Sequence, residues 1–190
     1  MYKSGRERLK KYEAIINICV TITKILPMAF RNYLLSFFRG IRGKKGLLIR
    51  YILLRSVCKQ CGTNVSIYEN VYIVEPHGLS LGNNVSIHPI SYLDAAGGIK
   101  IGNNVSIAHN TSILTPNHKW LDNDVPIKYN PMELKKVIIC DDVWVGCGCR
   151  IMPGVTIESR SIIASGSVVT RNVVKNTIVA GVPAKYIKNI

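Results

Sequence analysis

Four side chains in this sequence can move a proton near neutral pH: His77, His88, His109 and His118. Imidazole is the group whose ordinary charge change falls in that range. Three of them lie inside a regular pattern, and His118 lies where the pattern stops. It ends the segment Ile113-Leu114-Thr115-Pro116-Asn117-His118 and opens a stretch, Lys119 to Val137, in which Asp122, Asp124, Pro126 and Pro131 predict an ordered loop. A loop anchored on a rigid scaffold is a natural wall for a site. An imidazole there can take the proton of a hydroxyl as its oxygen attacks an activated carbonyl, or it can simply hydrogen-bond to loop backbone.

His77 sits in a bulge, Glu75-Pro76-His77-Gly78, and His88 and His109 sit at repeat corners. All three are expected to be solvated, with His88 the one offered for substrate contact. Asp94, in Tyr92-Leu93-Asp94-Ala95-Ala96-Gly97-Gly98, lies one repeat turn before His118. Its carboxylate can bind a substrate hydroxyl or cap its own bend. The Trp144 indole can line a pocket with an apolar wall and one donor, or pack on a neighbouring subunit. Cys147 and Cys149 are rival nucleophiles, but no histidine is local to them and they are expected to be packing residues. The six cysteines, with no cleavable signal peptide, are expected to be reduced thiols of a cytoplasmic protein. Cys58-x-x-Cys61 and Cys147-x-Cys149 lack zinc-ligand spacing to one another, so no metal is expected.

The elements that must position these residues follow from a period of six. Cys61, Ile67 and Ile73 start it; Leu81, Ile87 and Leu93 follow; Ile101, Ile107 and Ile113 follow in turn. After the loop, Ile139, Val145, Ile151, Ile157, Ile163 and Val169 keep strict step. Two extra residues separate Ile73 from Leu81 and Leu93 from Ile101. A period of six fits neither one face of an α-helix nor a series of hairpins, and it fits a parallel solenoid of short strands and bends over about residues 61 to 174. Gly, Asn and Asp tolerate the bend dihedrals.

The C-terminal blocks are specific. They read Asp142-Val143-Trp144-Val145-Gly146, Ile151-Met152-Pro153-Gly154-Val155-Thr156-Ile157, Ala164-Ser165-Gly166-Ser167-Val168-Val169-Thr170 and Ala180-Gly181-Val182-Pro183-Ala184-Lys185. This order resembles the hexapeptide-repeat acyltransferases, and among them the maltose, galactoside and polysaccharide O-acetyltransferases, over about residues 61 to 190. The resemblance implies an all-β solenoid, a left-handed parallel β-helix with three blocks per turn. It implies direct acetyl transfer from acetyl-CoA to a sugar hydroxyl, with His118 as general base and backbone N–H groups on the tetrahedral oxyanion. By resemblance, Trp144 lines the acceptor pocket and Asp94 lies near the family's acceptor-binding Asp. Ser165, Gly166, Thr170 and Arg171 occupy positions of coenzyme A contacts. Lys185 and Lys188 stand where arginines often meet the coenzyme's phosphates, and act as point charges rather than forks. The family also implies a homotrimer with each site between two subunits.

Charge divides the chain. Residues 1–60 hold 14 Lys or Arg against Glu7 and Glu13, while residues 61–190 hold 11 against 9 acids. Residues 1–60 are therefore expected to form a basic, amphipathic helical appendage beside the β-helix of residues 61–190, with its excursion at 119–137 and its closing segment. Apolar runs at 12–38 and 47–57 are interrupted by Lys24, Arg31, Arg50 and Arg55, too often for a membrane span of about 20 residues. The appendage suits peripheral contact with an anionic membrane face at the inner side, or a cap on the open end of the coil. No stacking platform or nucleic-acid motif accompanies the charge, so nucleic acid is not expected. A surface polysaccharide unit or lipid-linked saccharide is the expected acceptor. Serine, an amino sugar or an antibiotic are alternatives within the fold, and a scaffold without catalysis is the alternative outside it. The nine residues from His109 to His118 do not match the close histidine pair of the γ-class carbonic anhydrases.

Overall fold

A computed structural model describes residues 12–190. Three helices lead into a coil of short parallel strands. The helices are α1 (Glu13–Lys24), α2 (Met28–Phe37) and α3 (Gly43–Val57). Pro27 precedes the first residue of α2, where its fixed φ costs no hydrogen bond.

The coil stacks three parallel sheets. One contains β1 (Gln60–Cys61), β4 (Leu79–Leu81), β7 (Ile99–Ile101), β12 (Val137–Ile139) and β15 (Thr156–Ile157) in that spatial order. The second runs β2 (Ser66–Ile67), β5 (Ser86–Ile87), β8 (Ser106–Ile107), β13 (Trp144–Val145), β16 (Ile162–Ile163) and β18 (Thr177–Ala180), and ends on the antiparallel β19 (Lys185–Asn189). The third runs β3 (Tyr72–Val74), β6 (Tyr92–Asp94), β9 (Ser112–Leu114), β14 (Arg150–Ile151) and β17 (Val168–Val169). Each block-opening aliphatic stacks on its equivalent one turn later: Ile87 on Ile107, Val145 on Ile163, Leu93 on Ile113. These side chains are fully buried, and each contributes about 1.5–3 kcal/mol relative to exposure. The array continues past Val169 through the Ile157–Val173 bridge and β18, and β19 folds back on it. Neither strand carries the period that marks the rest.

Corners explain the asparagines. Asn64, Asn84 and Asn104 all adopt φ of 55–58°, and their side chains form a ladder, Asn64 Nδ2 donating to Asn84 Oδ1 at 2.9 Å and Asn84 Nδ2 to Asn104 Oδ1 at 2.8 Å. Asn tolerates this left-handed backbone and bonds along the stack as well. The next corner repeats the conformation at Asn70, Ile90, Asn110, Gly148 and Gly166. Ile90 is the misfit, a β-branched residue at φ 63° with its side chain largely in water. Ile90→Asn is expected to raise stability by about 1 kcal/mol, seen as a higher denaturant midpoint at unchanged slope.

The helical segment caps the first turn of the coil. Its α3 buries Arg50, Tyr51, Leu53, Leu54, Ser56 and Val57. Arg50 Nε donates to Ile67 O of β2 at 2.8 Å, and Tyr51 Oη donates to Gly62 O at 3.0 Å. Thus carbonyls of the terminal turn, which have no preceding turn to meet, are taken by side chains of α3.

Candidate active site

All three enlargements of the repeat emerge at one corner, between the third sheet and the first. They are Glu75–Gly78 in the first turn, Ala95–Gly98 in the second, and Thr115–Lys136 in the third. The last leaves the coil as an antiparallel hairpin of β10 (Pro116–His118) and β11 (Met132–Leu134), with His118 opposite Met132 at its far end. His118 is exposed. Among the described residues no side chain or backbone group hydrogen-bonds to its ring nitrogens; the loop's own side-chain bonds run through Asp122 and Asn130.

The base of the hairpin is fixed by Thr115, which is fully buried. Its hydroxyl donates to Asp94 O at 2.7 Å and accepts from Gly97 N–H at 2.7 Å, while Lys135 N–H donates to Thr115 O at 2.8 Å. Gly97 fits closely there: a Cβ would lie 3.0 Å from both Thr115 Cβ and Lys135 N, so the hairpin root would have to give by a few tenths of an ångström to admit one. Beyond His118 the loop closes by Lys119 N–H to Pro131 O at 3.0 Å, and folds around the buried Asn130. The Asn130 side-chain amide donates to Val125 O at 2.9 Å and Asp122 O at 3.2 Å. A rigid root and an internally bonded tip therefore carry His118 away from the coil.

Thr115→Val removes a donor and an acceptor from a buried junction and leaves both partners unpaired, a loss of roughly 2 kcal/mol. The expected fall in Tm is about 4–8 °C for a chain of this size, measured by thermal unfolding.

Asp94 ends β6, paired with Leu114 of β9. Its Oδ1 accepts from Ala96 N–H at 3.2 Å, which is the bend-capping geometry; its other oxygen has no partner among the described residues. His88 differs from the solvated expectation. It lies at the corner between the second and third sheets, half-buried, stacked on Tyr68 with ring centroids 4.6 Å apart and planes at 10°. Burial and then the neighbouring His109 hold its pKa below the usual imidazole range. His77 is exposed with Nδ1 3.1 Å from Glu75 Oε2, and His109 is exposed. Trp144 is 54% exposed on the outer face of the second sheet, between Ser106 and Ile162. In a three-sided coil that face is opposite the corner carrying His118. One chain therefore does not bring His118 together with His88 or Trp144.

Positions offered for a coenzyme divide between two edges. Ser165 and Gly166 lie exposed at the corner between the second and third sheets. Thr170 and Arg171 lie exposed on the His118 edge, two turns farther along, a rise of about 10 Å at the usual strand spacing. Arg171, Lys185 and Tyr186 line a cavity of about 310 Å³ whose floor is Val169, Val173, Val179 and Ala184. Lys188, opposite Ile178 on β19, is not among its lining residues. This cationic, partly apolar end cavity was not legible in the sequence, because β19 reaches Arg171 only by reversing direction.

Cys149 is buried with its thiol 3.2 Å from Ala164 O, and burial raises its pKa, so it is a packing residue and a poor nucleophile. Among the described residues no group of three or more His, Cys, Asp or Glu side chains is placed to hold a metal.

Residues 136–171 match the family model described as bacterial transferase hexapeptide (six repeats). The galactoside O-acetyltransferase of Escherichia coli K12 is 43% identical over 54 residues, 28% of this chain and 27% of that one. Two other curated relatives, both from yeasts, are matched over 41% and 25% of their lengths, so the chain's matches span well under half of these proteins. The fold is similar over much more. A hexapeptide-repeat acetyltransferase of Vibrio cholerae complexed with acetyl coenzyme A superposes with a TM-score of 0.75 at 27% identity, over 85% of this chain and 86% of that one. A galactoside acetyltransferase in complex with coenzyme A gives 0.77 at 25% identity, over 90% and 82%. With its block-opening aliphatics stacked turn on turn, the chain carries the bacterial transferase hexapeptide repeat over residues 136–171 and has the parallel β-helix fold of the hexapeptide-repeat acetyltransferases on which it superposes.

Proposed function

We propose that this chain transfers the acetyl group of acetyl-CoA to a sugar hydroxyl, with His118 as general base. The observation that carries the reading is the placement of His118: an exposed imidazole with no hydrogen bond among the described residues, held out on a hairpin whose root is locked by Thr115. On the same edge, two turns on, stands a cationic end cavity with Arg171 and Lys185, suited to a phosphate-bearing donor. The hydroxyl proton passes to His118 as the oxygen attacks the thioester carbonyl. The carbon–oxygen bond forms, the carbon–sulfur bond breaks, and coenzyme A leaves as the thiol after taking up the proton. Likeness to acetyltransferases bound to coenzyme A and acetyl-CoA supports the donor.

The working assembly is a homotrimer. The acceptor wall offered by Trp144 lies on the face opposite the His118 corner, so a site with both residues needs a neighbouring subunit. The acceptor is a surface polysaccharide unit or a lipid-linked saccharide, reached from the cytoplasmic side where acetyl-CoA is made; Asp94 and His88 are its further contacts. Ser165, Gly166, Thr170, Arg171, Lys185 and Lys188 serve the coenzyme.

Incubation of the purified protein with acetyl-CoA and a panel of sugars, serine and amino sugars, following free thiol, tests this. Sugar-dependent release supports the O-acetyltransferase; serine-dependent or amine-dependent release replaces it with those acceptors; absence of coenzyme A binding overturns the enzyme reading.

A further inference from the structure

We propose that the outer face of the helical cap docks on an anionic lipid bilayer. The inference rests on α1, α2 and their charges and stands apart from the reading of the catalytic site. Helix α1 is apolar on two sides. Ile16 and Val20 are buried, whereas Ile15, Ile18, Ile22 and Ile25 are 58%, 59%, 59% and 82% exposed. The exposed four recur at intervals of three, four and three residues, so they form one stripe, roughly 15 Å long, on the side away from the buried pair. On α2, Phe30, Tyr33 and Phe37 form an exposed aromatic ladder with ring centroids 6.2 and 6.0 Å apart. Both helices pack their other sides on α3, which in turn covers the coil. The stripe and the ladder therefore belong to the outermost layer of the cap, and neither contributes to the fold beneath.

Charge selects the occupant. Residues 12–59 contain nine Lys or Arg and one acid, Glu13. Lys24 lies between Ile22 and Ile25 in sequence, Arg42 immediately precedes α3, and Lys44 and Lys45 lie in its first turn; all four are exposed. Among the described residues none of them meets a carboxylate. A second cap would bring the same positive excess against the first. An anionic bilayer offers both an apolar interior for the isoleucines and rings and a negative surface for the cations, which is how an in-plane amphipathic helix binds. No helix among the described residues is long and apolar enough to cross a membrane, so the cap lies on the surface. The coil then points away from the lipid, with the His118 hairpin two turns beyond the first.

The test is co-sedimentation of the full chain with vesicles. Binding is expected to vesicles of equal parts phosphatidylcholine and phosphatidylglycerol, and not to phosphatidylcholine alone. Lys44→Gln with Lys45→Gln is expected to lower the partition coefficient about thirtyfold. Ile18→Asp with Ile22→Asp is expected to lower it at least about a hundredfold, with Tm within a few degrees of the parent because both side chains are already in water. Equal binding to neutral vesicles, no binding at all, or full binding by the isoleucine variant overturns the proposal. So does a change of subunit assembly in that variant without vesicle binding in the parent, which would assign the stripe to a second copy. Acetyl transfer is a separate readout, so failure here leaves that proposal standing.

Discussion

His118→Ala is expected to lower kcat for acetyl transfer by about 10²–10⁴, the usual contribution of a positioned base, equivalent to roughly 2.7–5.5 kcal/mol of transition-state stabilisation. Coenzyme A binding should be unchanged, because Arg171 and Lys185, the residues proposed for the donor, line the end cavity on a different segment from the hairpin. The expected signature is loss in kcat and kcat/KM together with little change in KM, as for an interaction made in the transition state. Stability should barely move: the side chain is exposed and makes no hydrogen bond among the described residues, and surface changes of that kind stay within about 0.5 kcal/mol. Steady-state kinetics beside a thermal melt decide the matter. Full activity in the variant would move the base elsewhere, to His109 or His88 at the neighbouring corner, and would make the hairpin a structural excursion.

The second large effect concerns the cap. Arg50 is 1% exposed and serves as a clamp between the helices and the coil. Its Nε donates to Ile67 O at 2.8 Å, and its Nη1 donates to Ile41 O at 2.6 Å and Arg39 O at 3.2 Å. Burial lowers its pKa, and Glu69 opposes that shift; Nη2 has no partner among the described residues. Arg50→Met keeps the volume of the stem and relieves the buried charge, yet leaves Ile67 O and Ile41 O without donors. Charge-assisted bonds of this kind contribute about 1.5–3 kcal/mol each, and here all of them run to backbone carbonyls. Allowing for the relieved desolvation, we expect a loss of about 3 kcal/mol and a fall in Tm of about 6–12 °C. Arg50→Lys should recover less than half of this, since an ammonium cannot bridge Ile67 O and Ile41 O as the fork does. A variant as stable as the parent would show that Leu53, Leu54 and Val57 hold the cap by apolar contact alone.

The two expectations differ in how visible their residues were. His118 could be singled out because it ends a repeat and begins a loop, and both signals are local. Arg50 looked like one more charge in a basic appendage. Only the seating of α3 on the first turn turns its side chain inward, onto a carbonyl that has no preceding turn to pair with. The same seating makes α3 the layer that caps the coil and leaves α1 and α2 outside it.

The β-helix itself was determined by the sequence, because each block places its own aliphatic residue inward and its own Asn or Gly at the bend, and the period repeats without reference to distant contacts. So was the break that carries His118. Tertiary structure alone decided three further things. It gathered all the enlarged bends on one edge, locking the hairpin root through Thr115, Asp94 and Gly97 across turns 18 to 21 residues apart. It set Trp144 and His88 away from His118 on a single chain, since which side of a three-sided coil a block faces depends on counting every residue inserted before it. And it reversed β19 onto β18 to build the end cavity, an antiparallel pairing that a parallel repeat does not encode.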